Sequence, residues 1–113
     1  MSNKTAILVV DDERVNLRLI QGMLKSFGLD ILTAQSGPEA LKTARSRDLA
    51  LILLDIMMPG MDGFQVAGTL RDDPPTRHLP IIFVTAMTQE SGHVFRGYEL
   101  GGVDYLFKPV DAE

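Results

Sequence analysis

Short apolar runs recur along this chain, each parted from the next by a stretch whose apolar residues lie three and four apart. The first run is Ala6-Ile7-Leu8-Val9-Val10, and the second, shorter one is Asp30-Ile31-Leu32-Thr33-Ala34. The third spans Leu49–Leu54 and contains four consecutive large aliphatics, Leu51-Ile52-Leu53-Leu54. The fourth is Ile81-Ile82-Phe83-Val84-Thr85 and the fifth Tyr105-Leu106-Phe107. Unbroken aliphatic runs lack the in–out alternation of a half-exposed strand. They predict strands covered on both faces, as in a parallel sheet between helices.

The intervening stretches read as helices. Leu17, Ile20, Leu24 and Phe27, with Met23 beside them, predict a first helix that closes at Gly28. Ser36-Gly37-Pro38-Glu39 starts a second, with Ser36 or Gly37 as cap and Ala40, Leu41 and Ala44 on its apolar side. Asp62-Gly63 opens a third carrying Phe64, Ala67 and Leu70, and Asp72-Asp73-Pro74-Pro75 stops it. A fourth runs through Val94, Phe95, Tyr98 and Leu100 to Gly101-Gly102. Strand and helix alternate throughout, which implies one α/β domain over 1–113: a doubly wound parallel sheet with right-handed crossovers.

Composition narrows the function. At 113 residues, 45% hydrophobic and 23% charged, the chain can bury a core of its own. Its net charge of −4 weighs against non-specific nucleic-acid binding. Without cysteine there is no disulfide framework and no thiolate metal site. No apolar run approaches membrane-spanning length and Met1-Ser2-Asn3-Lys4 has no signal-peptide pattern, so a cytoplasmic location is expected.

Parallel strands end at one common edge. There the first strand delivers Asp11 and Asp12, the third Asp55, the fourth Thr85 and the fifth Lys108. In the order 2-1-3-4-5, borrowed from flavodoxin-type sheets rather than read from this chain, the switch point lies between strands one and three. The acids then flank the ligand crevice. Three carboxylates in one crevice repel, and a hard divalent cation relieves the repulsion; an all-oxygen site with room for water suits magnesium better than zinc. A carboxylate beside such a metal can attack phosphorus to give an acyl phosphate, with a hydroxyl and an ammonium opposite to hold its oxygens.

Each residue alone has a plainer reading. Asp11-Asp12 equally fits a helix cap, Asp55 a turn, Thr85 a β-branched strand end, and Lys108-Pro109 a surface lysine before a turn. Tyr105 alone reads as core, and Met57, Met58 and Met61 as gap-filling apolars. Asp72-Asp73 follows a helix and reads as a solvated turn; His78 and His93 are isolated. What these readings leave unexplained is the coincidence of four strands ending in groups that one chemistry needs.

Asp11-Asp12 after an apolar strand, Leu54-Asp55-Ile56-Met57-Met58-Pro59-Gly60-Met61-Asp62-Gly63, Val84-Thr85-Ala86 and Lys108-Pro109 together resemble the receiver domain of two-component response regulators, over essentially the whole chain. The resemblance implies that Asp55 accepts a phosphoryl group from a histidine kinase or histidine phosphotransfer protein. It implies magnesium held by Asp12, Asp55, the Met57 backbone carbonyl and Asp11, the last directly or through water. It further implies that Thr85 and Lys108 hold phosphoryl oxygens, and that Tyr105 is a switch aromatic coupled to Thr85. Lys108–Pro109 is cis in such domains. Residues Met57 and Met87 stand where the family tunes acyl-phosphate lifetime; both are apolar, so slow self-hydrolysis is expected. On this reading the chain is a signalling switch for an output domain or downstream protein, not an enzyme acting on other substrates.

Two rivals remain. A haloacid-dehalogenase-type hydrolase wants a second aspartate where Glu13 stands, and a phosphorylation-silent receiver would not need the intact acidic pair, Thr85 and Lys108. The family's fifth helix should follow the lysine strand, yet only Val110-Asp111-Ala112-Glu113 remains. The domain is therefore expected to be cut before or at that helix. Its open face could bring two copies together as a homo-oligomer.

Overall fold

The computed structural model of the chain describes the backbone of residues 6–85 and 102–107 and the side chains of residues 6–84. Five strands, β1 (Ala6–Val10), β2 (Asp30–Ala34), β3 (Leu51–Asp55), β4 (Ile81–Thr85) and β5 (Gly102–Phe107), form one sheet in the order β2-β1-β3-β4-β5. Every neighbouring pair is parallel. The predicted sheet and order are borne out. The third strand starts at Leu51 rather than Leu49, and the fifth begins earlier than its aromatic run, at Gly102.

Three helices are described: α1 (Arg14–Lys25), α2 (Gly37–Ser46) and α3 (Gly63–Asp72). The fourth helix expected through Val94–Leu100, and residues 108–113, where a fifth would start, lie outside the described residues.

The continuous apolar strands are explained by what covers them. Successive side chains alternate across a strand, so each run feeds two cores. Leu8, Val10, Ile52, Leu54, Ile81 and Phe83 meet Ala40, Leu41 and Ala44 of α2 and Phe64, Val66, Ala67 and Leu70 of α3. The alternate set, Ile7, Val9, Leu53 and Val84, packs with Leu17 and Ile20 of α1. Each fully buried side chain such as Leu8 or Phe83 contributes roughly 1.5–3 kcal/mol by leaving water. The rings of Phe64 and Phe83 lie 5.4 Å apart at a tilt of 59°, so α3 is seated on β4 through an aromatic pair.

Helix ends follow local chemistry. Ser36 caps α2 by accepting from the Glu39 amide at 3.3 Å, and Pro38 sits in the first turn where its missing N–H costs nothing. At α3, Asp62 accepts from the Gln65 amide while Gln65 accepts from the Asp62 amide, both at 2.9 Å, a complete capping box. Pro74–Thr76 turn once as a 3-10 helix after α3. Asp73, read as solvated, pairs with Arg45 at 3.2 Å, a half-exposed bridge of small energetic value.

Two local expectations fail. Phe27 lies beyond α1, which stops at Lys25, and is 72% exposed rather than part of the apolar face. The Phe27 amide donates to the Leu24 carbonyl at 3.1 Å, tightening the end of the helix. Gly28 then takes φ = 71°, the left-handed conformation glycine adopts without strain. Met57 fills no gap: it is 58% exposed, whereas Met58 is buried and Met61 packs against the α2–α3 core.

Candidate functional site

The carboxyl edge of the sheet is built by register. Val10 of β1 pairs with Leu54 of β3, so the next residue on each strand, Asp11 and Asp55, stand side by side at the edge. Asp11 is 1% and Asp55 2% exposed, while Asp12, one residue on, faces solvent. One carboxylate oxygen from each of Asp11, Asp12 and Asp55 lies within 4.8 Å of the others.

Local hydrogen bonds hold the two buried acids in place. The Asp11 amide donates to the Ala34 carbonyl at 3.1 Å, tying the end of β1 to β2. Its Oδ1 accepts from the Glu13 amide at 2.9 Å. Glu13, not Asp11 or Asp12, is the N-cap of α1, and no side chain caps it. The capping alternative for the acidic pair is thus replaced by a turn that directs Asp11 inward. Asp55 Oδ1 accepts from the Met57 amide at 3.3 Å, so the chain doubles back immediately after β3.

The donor set fits one kind of ion. Three carboxylates, two buried and one at the mouth, are hard oxygen donors close enough to share a divalent cation, and no soft ligand stands among them. Met57 follows in the turn, its side chain at the rim. Thr85 ends β4 one residue beyond Val84, the register partner of Asp55, which brings it to the same edge. Tyr105 pairs in register with Phe83 on β5. Lys108 and Met87 lie outside the described residues.

Two features escaped the reading of the sequence. The Asp62–Gln65 capping box was legible in Asp62-Gly63-Phe64-Gln65 as an acid followed three residues later by glutamine. The packing of Gly63 against the backbone of Asp55 and Ile56 had no sequence signal beyond the glycine itself.

The model of the response regulator receiver domain matches residues 7–113. The chain belongs to the response regulator receiver domain family. It is 48% identical over 106 residues to response regulator PleD of Caulobacter vibrioides, covering 93% of this chain and 23% of PleD. It is 39% identical over 107 residues to protein PilH of Pseudomonas aeruginosa, covering 95% of this chain and 88% of PilH. Receiver domains thus occur both as most of a protein and as a minor share of one. Among solved structures, response regulator protein TrrA of Thermotoga maritima, in complex with Mg(2+)-BeF, superposes with a TM-score of 0.83 at 34% identity. That match covers 95% of this chain and 89% of TrrA. No helix among the described residues is long and apolar enough to cross a membrane.

Proposed function

We propose that this receiver is switched by phosphorylation of Asp55. The observation that carries the reading is the convergence of the Asp11, Asp12 and Asp55 carboxylates within 4.8 Å at the sheet edge, in a fold shared with a receiver solved with magnesium and beryllium fluoride. Asp11, Asp12 and Asp55 would hold magnesium, with the Met57 carbonyl as a further ligand. Bound there, magnesium neutralises charge on the phosphoryl oxygens as it develops in transfer.

The chain's own residues do the rest. An Asp55 carboxylate oxygen attacks phosphorus in line, a P–O bond forms, and the P–N bond to a donor imidazole breaks, leaving the acyl phosphate on Asp55 and the imidazole free. The Met57 amide, which donates to Asp55 Oδ1, restrains the orientation of the carboxylate. Little covalent chemistry is asked of the protein, so orientation supplies most of the rate. Thr85 and Lys108 take phosphoryl oxygens, and Tyr105 reads the movement of Thr85, biasing a two-state equilibrium toward the signalling form. The donor is a histidine kinase or a histidine phosphotransfer protein. Val15, Leu19 and Met57 are exposed apolar side chains available to such a partner. An output domain or a separate protein takes the signal.

Beryllofluoride with magnesium tests the reading. Together they should shift the backbone amide signals of Asp55, Thr85 and Tyr105, and fluoride salts without magnesium should not. Unmoved signals at saturating reagent would contradict it.

A further inference from the structure

Gly63, the first residue of α3, has no conformational need to be glycine: positive φ among the described residues occurs only at Gly28 and Gly60. What reserves the position is space. A Cβ at Gly63 would collide with the Asp55 carbonyl oxygen, and it would lie 2.8 Å from the Ile56 Cα and 2.9 Å from the Asp55 carbonyl carbon. These are backbone atoms at a buried strand end, so no side-chain rotation relieves the clash. The same junction is tied by a hydrogen bond from the Gly63 amide to the Ile56 carbonyl at 2.9 Å.

The loop from Ile56 to Asp62 therefore closes on itself. Its exit presses on its entry at Gly63, and Gly60 at φ = 77° supplies the reversal between them. The Asp62–Gln65 box fixes the direction in which α3 departs. Inside this closed loop sits Met57, whose amide donates to Asp55.

We propose that Gly63 is a positioning residue for the phosphoacceptor: its lack of a side chain lets α3 press on the Asp55–Ile56 backbone and set the Asp55 carboxylate and Met57 peptide where they work. The inference rests on the reading of Asp55 as phosphoacceptor and metal ligand. A Cβ would push α3 away or rotate the Asp55–Met57 turn, and either displaces the carboxylate relative to Asp11 and Asp12. A misplacement near 1 Å costs on the order of a hundredfold in a reaction governed by orientation.

The test compares Gly63→Ala with Val66→Ala, a cavity variant buried on the same helix, both in a Gly22→Ala background that stabilises α1. Three readouts are taken: the Met57 amide signal in metal-free protein, magnesium affinity, and the rate of phosphoryl uptake from acetyl phosphate. Gly63→Ala should displace the Met57 signal, weaken magnesium about tenfold and slow uptake on the order of a hundredfold. Val66→Ala should melt lower yet keep parental values in all three. A folded Gly63→Ala protein with the parental Met57 signal and magnesium affinity would overturn the proposal. Should that variant not fold, Gln65→Ala opens half of the capping box without adding a Cβ. It should move the Met57 signal and weaken magnesium severalfold, and parental values there would equally overturn it. If the parent itself takes neither magnesium nor phosphoryl, the reading of Asp55 fails, while the Met57 signal still decides the role of Gly63.

Discussion

Asp11 and Asp55 sit side by side at the ends of neighbouring parallel strands, both buried, with carboxylate oxygens no more than 4.8 Å apart. Two carboxylates this close together below the surface repel each other when both are ionised. The fold holds them together because the apolar strands on which they ride are buried on both faces. On the proposed function, a cation bound between them relieves that repulsion.

Asp55→Asn keeps volume and removes one of the repelling charges. In metal-free buffer the variant should be more stable than the parent by about 1–2 kcal/mol, the scale of a charge pair at an effective dielectric between water and protein interior. Urea unfolding with and without magnesium checks this. Saturating magnesium should narrow the gap if, as proposed, it binds the folded parent more tightly than the variant.

Asp12 is exposed, so Asp12→Ala should leave the fold unchanged while removing the proposed magnesium ligand at the mouth of the site. Magnesium affinity should fall by roughly tenfold or more, since even a supporting residue outside the ligand shell is worth that much. Isothermal titration gives the comparison; parental affinity would remove Asp12 from the ligand set.

Gly22 lies exposed in the middle of α1, and a Cβ there would meet nothing within 4 Å. Gly22→Ala should stabilise the chain by up to about 1 kcal/mol through helix propensity alone. It should not alter phosphoryl uptake. Paired thermal melts and uptake rates measure both, and the contrast with Gly63 separates a glycine kept for space from one that is not.

The residues that were legible in the sequence are those whose signal is local or additive. Four fully apolar or near-apolar runs became β1 to β4, and Ser36 took its place as a cap because its reach to an amide three residues on is local geometry. Phe27 was misassigned because apolar spacing continues past the point where hydrogen bonding changes partner, at Leu24 and Lys25. Met57 was misassigned because an apolar residue after a buried strand reads as core unless the turn that lifts it out is known. The convergence of Asp11, Asp12 and Asp55 was legible only through topology, since parallel strands must end together. The contact of Gly63 with Asp55 is tertiary and between backbones, so no pattern of side chains announces it.

The most direct test of phosphorylation at Asp55 is intact mass after incubation with acetyl phosphate. With magnesium the parent should gain a single phosphoryl group, removable by hydroxylamine as an acyl phosphate, and should gain none when the metal is chelated. Asp55→Asn should gain none under either condition. A parent that stays unmodified in magnesium, or an Asp55→Asn protein that gains the same mass at the parental rate, would contradict the account.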